Sequence, residues 1–244
     1  MSAVLALANS IVSDAVRRRI VYVVAAFAVV MAASIPALPS YGIGVVQPVF
    51  REAALALMWV ASLIVVLALA ANRIPSEIEK RTAYSVLTKP VQRWQYVLGT
   101  WFGIALVMAG VIAAFTVIDQ AVAMFVYKQA MWQLWQGSFG IWMEMSVLAA
   151  LAVAVSTRGG AVVVAVSSLA FLFIGHSREN FVRGVGNSPL VKLYPSLDAF
   201  NIVNPVAHGS GITVPYAATM TVVFCAYVAV FVLLGGLAFS ARDL

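Results

Sequence analysis

The chain has 244 residues, 63% of them hydrophobic and only 10% charged, with a mean hydropathy of +0.99. Soluble domains carry roughly 25% charged residues, so an ordinary water-soluble enzyme or binding module is excluded. The net charge of +6 and the pI near 9.7 would suggest nucleic acid in a soluble protein. In a membrane protein they follow from cationic loops that face anionic lipid. No basic face interleaved with aromatics lies outside the apolar runs, so no nucleic-acid partner is expected.

Several apolar runs reach the ~20 residues that a hydrocarbon core of about 30 Å requires. The fold class expected is all-α and polytopic, a single transmembrane domain over 1–244. Residues 1–19 come first, with Val4, Leu5, Ala8, Ile11, Val12, Ala15 and Val16 at helical spacing and Asn9, Ser10, Ser13, Asp14 and Arg17 opposite. That is an amphipathic helix suited to lying along the inner membrane surface, with Arg17, Arg18 and Arg19 at its end.

The first span is expected from about Ile20 to Ile35, stopped by Pro36 and Pro39. An outer loop holding Tyr41, Gln47 and Pro48 leads to a second span over about Ala53 to Ala71. The third span covers about Val97 to Phe125 and opens into an outer, Trp- and Gln-rich loop (Trp132, Gln133, Trp135, Gln136), as in interfacial aromatic belts. The fourth covers about Gly140 to Val155, and Ser156 to Gly160 form an inner turn. The fifth covers Ala161 to Ile174, an outer segment with short helices fills 175–214, and the sixth runs from Pro215 to Phe239.

Of the 15 Lys and Arg residues, this arrangement puts ten inside and five outside. The positive-inside bias therefore sets both termini in the cytoplasm, in an integral inner-membrane protein.

The one long charged island, Asn72 to Tyr96, lies between the second and third spans. Pro75, Ser76 and Glu77 form a helix start, and Glu77 and Arg81 are spaced to pair across one turn. Ile78, Tyr84, Val86 and Leu87 add apolar contact surface before Pro90 ends the helix. A short helix across the cytoplasmic mouth, joined to two spans, is placed to transmit motion from a soluble partner. A solvated, lipid-anchoring loop is the alternative that the residues leave open.

The stretch Ile74 to Gly99 resembles the first cytoplasmic loop of permeases in the type-2 ABC exporter family, through Glu77, Thr82, Leu87, Pro90 and Arg93. The stretch Tyr194 to Gly209 and the ending Phe239 to Leu244 are similar to the group of multicopper-enzyme maturation permeases. One position departs: Thr100 stands where many members carry Lys. The resemblance implies a transmembrane subunit of an ATP-driven transporter, an exporter, that forms its pathway with a second permease copy, identical or related. It implies coupling to a separate cytoplasmic ATPase that holds ATP and Mg, through Glu77, Lys80, Arg81, Thr82, Leu87, Pro90 and Arg93.

This chain contains no G-x-x-x-x-G-K-[ST] phosphate loop; no cofactor and no catalytic role are expected in it. An ATPase-driven mechanical device acting on an extracytoplasmic accessory protein is the alternative, and an intramembrane enzyme a more distant one.

Asp119 and Glu144 are the carboxylates inside predicted spans, and intramembrane carboxylates are costly and often functional. They are candidate pathway groups; the simpler expectation is two residues near the outer interface, hydrogen-bonded or wetted. His176 and His208, both assigned to the outer segment, are poor material for a metal site without cysteine. The run His208 to Gly211 is read as loop rather than as a serine nucleophile with its base, because such partners come from different elements. The single cysteine, Cys225, lies in an apolar run and has no redox role expected.

Overall fold

The computed structural model of the protein describes residues 2–17, 20–34, 42–79, 92–178 and 195–241, with side chains placed except at 2–3, 16–17, 20–21, 42–45 and 71–79. Among the described residues every regular element is helical: α1 Ser2–Arg17, α2 Ile20–Ser34, α3 Gly42–Glu79, α4 Arg93–Tyr127, α5 Gln133–Ser156, α6 Ala161–His176, α7 Val203–Ala207 and α8 Val214–Ser240, with a 3-10 turn at Asp198–Phe200. Four helices are long and apolar enough to cross a membrane: α3 over Val46–Ala70, and α4, α5 and α8 over their full lengths. This is the character of a helical membrane protein. The expected first and fifth spans are helices of 15 and 16 residues, α2 and α6. At 1.5 Å per residue they measure only about 22 and 24 Å, short of the hydrocarbon thickness of about 30 Å.

The centre is α5. Of its most apolar window 72% is buried, against 22% for α8, and α3, α4, α6 and α8 all pack against it. Small residues allow this. A Cβ on Gly137 would meet the side chain of Leu55 at 2.6 Å, and one on Gly235 of α8 would meet Ala154 Cα at 3.0 Å. Helices without bulky side chains at such points approach closely and gain dispersion contact.

The α1 helix is amphipathic as expected, with Ala8, Ile11 and Ala15 buried and Asn9, Ser10 and Ser13 exposed. It does more than lie on a surface, because it docks on the first turns of α4, where Gly99 and Gly103 leave room for Leu7, Ala8 and Ile11. Thr100, between those glycines in sequence, is buried and donates to Tyr96 O at 2.8 Å.

Three boundaries differ from the sequence expectation. Gln47 and Pro48 lie inside α3, which begins at Gly42. Pro75 and Ser76 do not start a new helix, because α3 continues through them to Glu79; proline loses only one backbone bond there and a single interruption is tolerated near a helix end. Trp132 forms the N-cap of α5, and Gln133, Trp135 and Gln136 occupy its first turns rather than a loop; Trp132 and Trp135 are nonetheless exposed.

At one end of the bundle Arg93 and Arg158 converge on the C-terminus of α8. Arg93 donates to Phe239 O and Ser240 O, both at 2.9 Å, and Arg158 Nε donates to Ala238 O at 3.1 Å. Arg93 also stands over the Phe239 ring, 5.9 Å from its centroid. Two cations thus meet the unpaired carbonyls and the negative end of the helix dipole. At the opposite end Arg51 donates to Ala207 O at 3.0 Å, and Gln133 and Gln136 bond to the turn containing Gly209 and Gly211. Both glycines have positive φ, 78° and 66°, which is the left-handed conformation that side chains disfavour.

If the close approach at Gly103 holds α1 in place, Gly103→Leu should release it. With Cys225 replaced by Ser, a cysteine at Ala8 should become accessible to a water-soluble maleimide in Gly103→Leu and stay protected in the parent. Equal labelling in both would show that α1 is held elsewhere.

Candidate functional site

Of the coupling residues expected from sequence, Glu77 falls in the last turn of α3, where only the backbone is described, and Lys80, Arg81, Thr82, Leu87 and Pro90 lie outside the described residues. Arg93 is described, as the first residue of α4. Within the outer segment expected to hold short helices, 179–194 lie outside the described residues, whereas the 3-10 turn at Asp198–Phe200 and α7 supply short helices in the remainder.

The two carboxylates are buried and are not paired with each other. Asp119 is 0% and Glu144 2% exposed. They sit on antiparallel neighbours whose register is set by Trp101 Nε1 donating to Ser146 O, Trp142 Nε1 to Ala105 O and Thr116 Oγ1 to Ser138 Oγ, at 2.9, 3.0 and 2.6 Å. That register puts the two acids on the order of 15 Å or more apart along the helix axis. Neither oxygen of Asp119 has a hydrogen-bond partner among the described residues.

Glu144 is the better-built site. It lies halfway along α5, twelve residues before Ser156, or about 18 Å from that end. Its Oε2 accepts from Trp59 Nε1 of α3 at 3.0 Å. Its Oε1 has no hydrogen bond, but His176 Nε2 stands 3.5 Å away. His176 is not a loop residue: it is the last residue of α6. The shortness of α6 is what puts it there, since a helix of about 24 Å returning beside α5 ends just past the level of Glu144. The His176 ring meets Trp59 edge-on, with centroids 6.0 Å apart. Beyond it the chain folds back onto α5, so closely that a Cβ on Gly140 would stand 2.8 Å from Phe200 O.

These elements enclose a cavity of about 310 Å³. Glu144, His176 and Trp59 lie on its wall with Asn201, and Leu55, Val60, Ile141, Phe200 and Ile202 make the rest apolar. The volume falls at the small end of ligand pockets, about 300–1,000 Å³. Asp198, in the 3-10 turn over the cavity, is the other acid that acts electrostatically on Glu144.

The hydrogen bonding of His176 fixes the chemistry of this contact. Nδ1 lies 3.1 Å from Leu172 O; a carbonyl oxygen only accepts, so Nδ1 carries the hydrogen. Nε2 is then a lone pair unless the ring is imidazolium. A lone pair facing a carboxylate oxygen is repulsive, so the Glu144–His176 contact holds one proton, on either partner.

His208 bonds through Nδ1 to Asn204 O at 2.9 Å, and Ser210 Oγ donates to Pro205 O at 3.3 Å. Both satisfy carbonyls of α7 and its turn, and neither is arranged as a base and its nucleophile. Among the described residues no three metal-ligating side chains gather in one place. No protein-family model matches the chain, and no curated protein matches it.

The bond from Trp59 should be felt in stability. Trp59→Phe leaves a buried carboxyl oxygen without its donor, at a cost of about 1–3 kcal/mol. Adding Glu144→Leu should recover a large part of that loss, because the buried carboxyl group that needs the Trp59 donor is then gone. Unfolding midpoints of the three variants check this, and a double variant no more stable than Trp59→Phe would refute it.

Proposed function

We propose that this protein is the transmembrane subunit of an ATP-driven transporter, an exporter, working as a dimer on a separate cytoplasmic ATPase. The observation that carries the reading is the junction at Arg93. The charged stretch 72–96, whose residues resemble the coupling loop of type-2 ABC permeases, leads directly into α4 at a residue that also grips the end of α8. A load applied to that stretch is delivered to two long helices at once, through covalent continuity with α4 and through Arg93 to α8. On the other side the stretch is continuous with α3.

In this reading α2 and α6 complete six passages, thinning the bilayer locally to match their length, and both termini share the cytoplasmic side with the loop. Glu77, Lys80, Arg81, Thr82, Leu87 and Pro90 present the docking surface, and the partner supplies ATP and Mg. Arg158, bonded to Ala238 O beside the Arg93 contacts, belongs to the same cytoplasmic end. The two bonded arginines thereby agree with the basic excess expected there.

Purification of the tagged chain from its native membrane in mild detergent should recover a Walker-containing ATPase, and deletion of 77–90 should release it. Glu77→Ala and Arg81→Glu should leave membrane insertion intact while separating ATP hydrolysis from transport. Arg93→Ala should keep the ATPase bound but reduce transport per ATP several-fold, since it loosens α8 rather than the docking surface. Recovery of the chain alone, without ATPase activity, would overturn the proposal.

A further inference from the structure

The cavity beside Glu144 has features that the ATPase reading neither requires nor explains. Its wall is apolar apart from a small polar corner, and that corner is acidic. Glu144 is the acid on the described lining, with His176 beside it; Asp198 lies outside the lining. Among the described residues no cationic side chain lines the cavity: Arg51 on α3 is bonded to Ala207 O, and Glu52 beside it is exposed. On α6 the next cation after His176 is Arg178, which is outside the lining, and α7 carries no charged residue. Glu144 is 2% exposed, and its Oε1 is a buried acceptor without a hydrogen bond at the cavity wall.

A site of this kind is complementary to one ligand chemistry. An ammonium group would supply N–H donors to Oε1 in place of the proton held with His176, and Trp59 and Phe200 present aromatic surface to an organic cation. The apolar remainder of the wall would take a hydrocarbon body. A neutral apolar molecule would offer Glu144 no donor, and an anion would be repelled by its carboxylate.

We propose that this cavity binds an amphiphile carrying a protonated amine, with Glu144 as its anionic anchor, and that the proton held between Glu144 and His176 leaves as the cation enters. The exchange balances. Before binding, the pair and its one proton are neutral in sum. On binding, the proton passes to water, Glu144 remains a carboxylate, and His176 stays neutral with its hydrogen on Nδ1. The ammonium donates both to the carboxylate and to the Nε2 lone pair, so the two acceptors no longer face each other without a hydrogen between them. The site is neutral in both states, so a buried charge is never left without a partner. Affinity must therefore rise with pH wherever the pair still holds its proton, by about tenfold per pH unit.

The amine has two possible sources, a lipid headgroup or a soluble amphiphile, with the same chemistry at Glu144. The inference does not depend on an ATPase: a failure of the partner experiment leaves it untouched, and its own failure leaves the partner reading untouched.

The test uses the full chain in dodecyl maltoside micelles, which contain no amine, titrated calorimetrically with octylammonium and with octanol. Repeating the titration in two buffers of different ionisation enthalpy counts the protons released. The expected result is saturable octylammonium binding, at least about tenfold tighter than octanol, with one proton released per ligand. Glu144→Gln should weaken octylammonium by about tenfold or more and abolish the proton release. Ala56→Phe, which fills the cavity from its apolar wall without touching the acid, should block binding while the pH titration of the His176 ring, followed by NMR in a His208→Gln background, is unchanged.

Competition by short-chain phosphatidylethanolamine but not phosphatidylglycerol would assign the amine to lipid; competition by neither would assign it to a soluble amphiphile. Equal affinity for octanol and octylammonium, or undiminished binding in both variants, would overturn the site. Binding without proton release would overturn the exchange.

Discussion

A carboxylate on the most enclosed helix of the bundle is the constraint to which the neighbouring elements answer. Burying Glu144 without donors would cost several kcal/mol, so α5 is only a viable centre if its neighbours bring hydrogen to that point. The α3 helix brings the Trp59 indole, and α6 ends where its last residue reaches the second oxygen. The length of α6 is therefore matched to the position of the acid rather than to the thickness of a bilayer. Residues 195–203 lie against the same site, held to α6 by Leu197 N donating to Gly175 O at 3.3 Å.

The two ends of the bundle are finished differently. At the end where α8 terminates, two arginines from separate elements bond to its carbonyls, and α1 is packed against α4 through a pair of glycines. These are stiff connections, since guanidinium forks hold carbonyls in fixed directions and close-packed backbones move together. At the other end the contacts are amide side chains on a turn with two left-handed glycines, and a short α7 held by Arg51. Such turns open at less cost than packed helices. The two ends of the bundle are thus tied by contacts of different strength.

Much of this was legible in the sequence, for identifiable reasons. Apolar runs gave the bodies of α3, α4, α5 and α8, because length and composition alone decide that. The period of Ala8, Ile11 and Ala15 identified the buried face of α1. The breakers mislead: Pro48 and the Trp–Gln stretch at 132–136 read as loop and Pro75 as the start of a new helix, yet all lie within or at the ends of α3 and α5, where proline and polar side chains are tolerated. The site failed for a different reason. Trp59 and Glu144 are 85 positions apart, and His176 was assigned to a loop because the apolar run before it stops at Ile174. One signal was available: a lone acid deep in an apolar helix demands a donor from within the bundle, and tryptophan N–H groups and histidines in the adjacent spans are few.

Asp119 shows why burial alone does not make a site. It is as deeply buried as Glu144, but nothing described donates to it and it lines none of the cavities described. A carboxyl group there affects folding and packing, whereas one that shares a cavity wall with a histidine and an indole can exchange its partner for another. The difference lies in what stands opposite the oxygen. For Glu144 it is a base whose other nitrogen is already committed to Leu172 O, so a change of occupant in the cavity has to be accompanied by movement of one proton. That coupling of occupancy to protonation follows from the tautomer and from the burial of the Glu144 carboxyl group.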